Sequence, residues 1–193
     1  MHPSPTLVPS PAEDHEPAHA YACYLADAKR KAYGHVYLGA RWELALARRL
    51  GAEVHAACLH HLARVNDYVK DDFVFDFEAG GIKIDAKSTQ SRSLSRRNNL
   101  LVTHGHLRAD VAYVLGDVVR LPVAGDQRPW PSREQTTAEL WFEAAGWEMG
   151  DPALFSQCRI PGLDNLVMRR RDDLRPFREL EELVHTGPRQ LAA

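Results

Sequence analysis

The 193-residue chain contains few cysteines and no long apolar run. Its three cysteines, Cys23, Cys58 and Cys158, lie far apart and form no Cys-x-x-Cys pair, which is typical of proteins from a reducing compartment. No segment approaches the roughly 18 apolar residues of a membrane span, and the N-terminus lacks the apolar core of a signal peptide. These absences predict a cytoplasmic protein that does not enter a membrane.

The chain also lacks an excess of either charge and several common enzyme motifs. Its net charge is −2, so any surface that attracts nucleic acid must be local. A Gly-rich phosphate loop, a G-x-S-x-G motif and a Cys/His nucleophile pair are all missing. The length and the 45% hydrophobic content are those of one globular domain. We predict a disordered, proline-rich arm over residues 1–17 and a single domain over residues 18–193.

Two short runs of alternating apolar residues, 72–77 and 82–87, form the most informative part of the chain. Period-two alternation predicts two strands, each with one buried face, and the Gly-containing segment 78–81 predicts an antiparallel hairpin. If Phe77 pairs with Ile82, the polar residues share the other face. In that register, residue 74 lies opposite residue 85 and residue 72 opposite residue 87. The residues on this face are Asp72, Val74, Asp76, Lys83, Asp85 and Lys87.

This polar face has two interpretations. It is either a solvated sheet face with cross-strand ion pairs, because Asp-x-Lys is frequent by chance, or a site that carries chemistry. Asp76 and Lys83 are interpreted as a cross-strand pair away from the centre of the face. Asp72 and Asp85 with Lys87 would form that centre.

In this region the chain resembles the PD-(D/E)XK nuclease superfamily. An acid at the start of one strand, followed by Asp/Glu-x-Lys at the end of the next, is that superfamily's signature, matched here by Asp72 and by Asp85-Ala86-Lys87. The proline that precedes the first acid is absent, since Lys70 and Asp71 stand there. The resemblance covers roughly residues 35–120. It implies an α/β fold with a central mixed β-sheet flanked by helices, a restriction-endonuclease-like core.

The same resemblance implies a Mg²⁺ or Mn²⁺ site. Its ligands would be Asp72, Asp85, Glu43 and the Ala86 carbonyl, and Lys87 would orient or deprotonate the attacking water or stabilise developing charge. If Asp72 is not the first ligand, Asp71 or Asp76 would replace it.

Glu43 lies on a helix predicted over about residues 38–50 and ended by Gly51, after an earlier helix that Gly34 ends. Helical spacing places Glu43 on an apolar face, while Arg41 faces the other way. A buried carboxylate there is costly unless an arginine or a metal compensates it. The superfamily carries a comparable glutamate, and Glu43 resembles it.

The segment that follows Lys87 is rich in donors that contact phosphate groups. It carries Gln90, Arg92, Arg96 and Arg97 and, over residues 88–99, no acid. It is either a nucleic-acid contact or a flexible solvated loop. The same two interpretations apply to the three arginines at 169–171.

Together these features predict a metal-dependent nuclease that hydrolyses phosphodiester bonds in nucleic acid, with DNA as the favoured substrate. The alternative is a non-catalytic nucleic-acid-binding or interaction module with the same fold. The sequence leaves open DNA against RNA, internal against terminal cleavage, and whether the protein forms a homodimer.

Overall fold

The computed structural model describes residues 6–29, 33–52, 75–89, 99–119, 139–159 and 163–187. Its helices are α1 (His15–Lys29), α2 (Tyr33–Arg49) and α3 (Phe177–Thr186). Its strands are β1 (Thr6–Ser10), β2 (Phe77–Ala79), β3 (Ile82–Thr89), β4 (Leu100–Thr103), β5 (Val111–Val119), β6 (Leu140–Met149), β7 (Ser156–Gln157) and β8 (Leu166–Arg169). Within these ranges, no helix is both long enough and apolar enough to cross a membrane.

The strands form a five-stranded mixed sheet and a smaller three-stranded sheet. The large sheet has the order β1-β6-β5-β3-β2, and the small one has the order β4-β8-β7. Strands β3 and β5 are parallel, and every other pair in the two sheets is antiparallel. The predicted α/β class with a central mixed sheet and flanking helices is confirmed.

The large sheet is covered on both faces, which explains why β5 is an almost unbroken apolar run. Helices α2 and α3 pack on one face, in a cluster that includes Trp42, Ile84 and Leu180. The small sheet packs on the other, in a cluster that includes Tyr113 and Val167. Burial of each such large apolar side chain contributes about 1.5–3 kcal/mol. The core therefore fixes which face of β3 meets the helices.

Helix α2 approaches β5 closely because Gly116 has no side chain. A methyl group on Gly116 would lie 2.3 Å from the indole ring of Trp42. The Trp42 ring is fully buried and also packs against Phe142 of β6, with 5.2 Å between the ring centroids.

An antiparallel β2–β3 hairpin is present as predicted, but its first strand is Phe77–Ala79 and not 72–77, and its register differs by two residues. Residues 75 and 76 precede β2, and residues 72–74 lie outside the described residues. Phe77 pairs with Ile84, and the turn consists of Gly80 and Gly81 alone. Both glycines have positive φ, 56° and 80°, which is the backbone of a tight two-residue hairpin turn. The predicted pairing of Phe77 with Ile82 is therefore wrong. A shift of the pairing register by two residues leaves each side chain on the same face of the sheet but changes its partner on the opposite strand.

The predicted arm over residues 1–17 is wrong for residues 6–17. Strand β1 pairs with β6 at the edge of the large sheet. An edge strand tolerates Pro9 because some of its residues face no neighbouring strand and need no backbone N–H to donate. A single 3-10 turn then leads into α1. Residues 1–5 lie outside the described residues.

Two predictions about α2 also need correction. Gly34 does not end a helix, because α2 already begins at Tyr33. Arg41 does not face outward but is completely buried beneath β1. Its guanidinium group donates to the Ser10 hydroxyl at 2.6 Å, to the Ser10 carbonyl at 2.7 Å and to the Pro11 carbonyl at 3.1 Å.

Candidate active site

Strand β3 presents Asp85 and Lys87 on the same face, because side chains two residues apart in a strand point the same way. Asp85 is buried, with 6% of its surface exposed, whereas the Lys87 side chain is 35% exposed. The Lys87 Nζ lies 2.5 Å from Asp85 Oδ1. A buried acid and a partly exposed lysine therefore form a tight ion pair.

Asp76 is the second carboxylate of this site. It immediately precedes β2, and its backbone N–H donates to the Ile84 carbonyl at 2.8 Å. Its Oδ2 accepts a hydrogen bond from the Ala86 backbone N–H at 2.7 Å. Phe77 pairs with Ile84 in the antiparallel hairpin, so the preceding residue, Asp76, lies beside Asp85.

Interactions between these groups shift their pKa values. Burial, followed by the negative charge of Asp76 and the hydrogen bond that protonated Asp85 donates to it, raises the pKa of Asp85 to about 7, although Lys87 acts in the opposite direction. Burial opposes the charged form of Lys87. The carboxylates of Asp85 and Asp76 outweigh that burial and hold the Lys87 pKa above its usual value.

Lys83 is not the partner of Asp76 that the sequence predicted. In the observed register it lies opposite Glu78, and its Nζ binds Asp110 Oδ2 at 2.6 Å. Both members of this second pair are well exposed, at 41% and 62%. The Lys83–Asp110 pair is therefore a solvated ion pair between β3 and the residue before β5, in contrast to the Lys87–Asp85 pair, whose carboxylate is buried.

Glu43 is buried on α2, as predicted, with 6% of its surface exposed. Helix α2 covers the face of β3 that carries Ile84, whereas Asp85 and Lys87 lie on the opposite face. Among the residues that the structure describes, no group of three or more His, Cys, Asp or Glu side chains is arranged to hold a metal. Glu43 is therefore not joined to Asp76 and Asp85 in such a group.

Several predicted site residues lie outside the described residues. These are Asp71, Asp72, Gln90, Arg92, Arg96 and Arg97. The roles predicted for them stay predictions.

Asp76 and Asp85 nevertheless fit a hard divalent cation. Two adjacent carboxylates, one of them buried, repel each other when both are ionised, and the raised pKa of Asp85 reflects its burial first and that repulsion second. Mg²⁺ prefers oxygen ligands and is usually bound through one or two carboxylates with several waters. The donor set thus matches Mg²⁺ or Mn²⁺ in its chemistry.

Tyr113 is a site neighbour that the sequence did not indicate. It lies directly opposite Asp85 in the parallel β3–β5 pair and is fully buried. Its hydroxyl donates to the His106 carbonyl at 2.7 Å and accepts from the Arg108 backbone N–H at 3.1 Å. Burial and then the charge of Asp85 raise the Tyr113 pKa. The pairing of β3 with β5, which are distant in sequence, creates this contact.

Two of the three consecutive arginines at 169–171 are bound to carboxylates. Arg171 binds Asp117 of β5 through Nη1 and Glu143 of β6 through Nη2, the latter at 2.5 Å. Arg169 lies 3.2 Å from a carboxylate oxygen of Glu148. These two guanidinium groups are engaged within the protein, so they fit neither interpretation drawn from the sequence.

Comparisons with protein-family models, curated proteins and solved structures found no match to this chain. The case for a function therefore depends on the residues of the site.

Proposed function

We propose that the protein is a metal-dependent nuclease that hydrolyses phosphodiester bonds, with DNA as its substrate. The observation that carries this proposal is the grouping of Asp76, which immediately precedes β2, with Asp85 and Lys87 of β3. Two carboxylates that resist joint ionisation, with an ammonium group in contact, suit a reaction in which an anionic phosphate gains further charge.

Each residue of the group has a distinct role in this proposal. Asp76 and Asp85 would hold Mg²⁺ or Mn²⁺, which when bound supplies charge neutralisation and a more acidic water. Lys87 reaches solvent, so its ammonium group would contact the attacking water or a phosphate oxygen. It would orient that water or stabilise the charge that develops on the phosphate.

The proposal extends to a restriction-endonuclease-like core. Supporting features are a helix, α2, that precedes the β2–β3 hairpin, the hairpin itself with the acid and the Asp-x-Lys motif, and a parallel neighbour of β3, β5, that follows. In this scheme Asp76, and not Asp72, is the first acidic residue. Glu43 lies on the helix that packs against the opposite face of β3, so this scheme assigns it no role in the group.

Cleavage assays with variants and matched controls test the proposal. Supercoiled plasmid, linear duplex and single-stranded DNA are incubated with the protein, with and without Mg²⁺ or Mn²⁺. Asp85→Asn should abolish cleavage together with metal binding. Lys87→Met should preserve Mn²⁺ binding in a calorimetric titration and slow cleavage by about two orders of magnitude or more.

The exposed Lys83–Asp110 pair, which links β3 to the residue before β5, provides the controls. Asp110→Asn and Lys83→Met remove the same chemical groups from solvated positions, so both variants should cleave at the wild-type rate. If Lys87→Met cleaves as well as Lys83→Met does, the Asp-x-Lys pair is a structural ion pair. Tight DNA binding by the wild type without metal-dependent turnover would instead indicate a non-catalytic binding module.

A further inference from the structure

A cavity of about 350 Å³ opens between the small sheet and two short 3-10 turns. Its volume is at the lower end of ligand pockets, which span about 300–1,000 Å³. A single planar heterocycle with its sugar is therefore a better match in size than a base pair. The lining residues are His104, Leu107, Pro152, Phe155, Gln157 and Val167.

The walls of this cavity combine an aromatic ring with polar groups that can still form hydrogen bonds. The Phe155 ring is half-buried and is held by an edge-to-face contact with Tyr113, with 6.3 Å between centroids. The Gln157 side-chain amide donates to the Asp164 carbonyl, which fixes the amide and leaves its oxygen as an acceptor. His104 is exposed at the rim and adds an imidazole donor and acceptor. A flat ring and a few fixed polar groups suit the face and edge of a nucleobase.

The cavity and the candidate active site lie on the same side of the large sheet. Phe155 and Leu107 pack in the apolar cluster that contains Tyr113, and Tyr113 lies opposite Asp85 in the β3–β5 pair. One buried tyrosine therefore separates the cavity wall from the carboxylate. Arg108, which follows Leu107, is exposed and bonds through Nη1 to the carbonyls of its own turn. It adds a cation beside the cavity for a phosphate.

We propose that this cavity binds one unstacked nucleobase of a DNA strand whose backbone continues to Asp85 and Lys87. That identification of the ligand rests on the proposed function. A base within a duplex is stacked and paired on both sides, so it cannot enter unless it is extruded from the helix at a cost. The cavity therefore gives the protein a preference for single-stranded or unpaired DNA over intact duplex.

Binding measurements in EDTA, which withholds the metal, test the base site apart from cleavage. The probes are a fluorescently labelled single strand of mixed sequence, its duplex, and an abasic strand with the same phosphates and sugars. Wild-type protein should bind the single strand more tightly than the abasic strand or the duplex by roughly five- to fiftyfold, the usual effect of one base–aromatic contact. Equal affinity for the normal and abasic strands would overturn the proposal without any variant.

Variants at the aromatic wall then locate the contact. Phe155→Leu keeps an apolar side chain but removes the ring, and should lose the single-strand preference while duplex affinity stays unchanged. Phe155→Trp should retain that preference, and so should Leu154→Ala, which alters a 37% exposed neighbour outside the cavity lining. If Phe155→Leu folds and keeps the wild-type preference, the base site is overturned. If wild-type protein prefers the base-containing strand yet cleaves nothing with Mg²⁺ or Mn²⁺, the base site stands and the nuclease proposal fails.

Discussion

At the scale of single residues, Asp85 shows how burial and a like charge combine. Its pKa near 7 in the folded protein exceeds the value of about 3.9 expected in an unfolded chain. The folded state therefore holds this proton more tightly than the unfolded state does. Its contribution to stability is complete below about pH 4 and is lost as the pH rises to about 7.

We expect Asp85→Asn to remove this pH dependence. In EDTA, the variant should gain stability relative to wild type as the pH rises from 4 to 8, by roughly 1–4 kcal/mol. Denaturant unfolding at a series of pH values measures the difference. Asp110→Asn is the control, because Lys83 lowers the pKa of that exposed carboxyl. A parallel offset for Asp85→Asn at every pH would show that the carboxyl titrates alike in both states.

Arg41 is the residue that joins the N-terminal segment to α2. It donates to two main-chain carbonyls, to the Ser10 hydroxyl and to the Tyr37 hydroxyl, and it has no exposed surface. Arg41→Met should lower the free energy of unfolding by about 3 kcal/mol, because buried acceptors lose their donors. Arg178→Met is the control, since Arg178 is 84% exposed. Equal denaturation midpoints for the two variants would contradict a structural role for Arg41.

At the scale of elements, the β2–β3 turn sets which acids meet. A two-residue turn at Gly80 and Gly81 brings Asp76 beside Asp85, whereas the four-residue loop predicted from the sequence would have placed Val74 there. Helix α3 reinforces the short turn. A methyl group on Gly80 would lie 2.2 Å from the Val184 carbonyl oxygen.

Gly80→Ala should therefore destabilise the protein more than a glycine substitution in open space. Gly51 is the matched control, because its φ is also positive, at 72°, and nothing lies within 4 Å of an added methyl group. Gly51→Ala should cost about 1–2 kcal/mol from backbone conformation alone, and Gly80→Ala clearly more. Chemical denaturation compares the two. Equal costs would mean that α3 yields to the methyl group without penalty.

At the scale of the whole molecule, the net charge of −2 gives no general attraction to DNA. We expect the predicted phosphate contacts Arg92, Arg96 and Arg97 to supply it. Replacing all three by alanine should weaken binding equally across DNA sequences and make the dependence of affinity on salt less steep.

Arg49 and Arg178 provide the comparison for this test. Both pair with glutamates of α3, and a double alanine variant changes the net charge without touching the predicted contacts. Fluorescence anisotropy at several salt concentrations distinguishes the variants. If both sets of substitutions change the salt slope alike, net charge and not the arginine-rich segment governs binding.

The sequence alone determined the second strand of the predicted hairpin, β3, and the faces of its residues. Asp85 and Lys87 were predicted to share one face of a strand, and Glu43 was predicted to be buried on its helix; the structure has both. These features follow from local periodicity, which a shift of two residues leaves unchanged.

Only the tertiary structure decided which residues became neighbours. Periodicity cannot distinguish two hairpin registers of the same parity, so the position of Asp76 beside Asp85 depended on the turn and on the packing of α3 against it. Arg41 was expected at the surface because nothing local shows that β1 would cover it. The pairing of β3 with β5, which places Tyr113 beside Asp85, joins segments distant in sequence. Such contacts arise from burial of a shared core, which no single segment encodes.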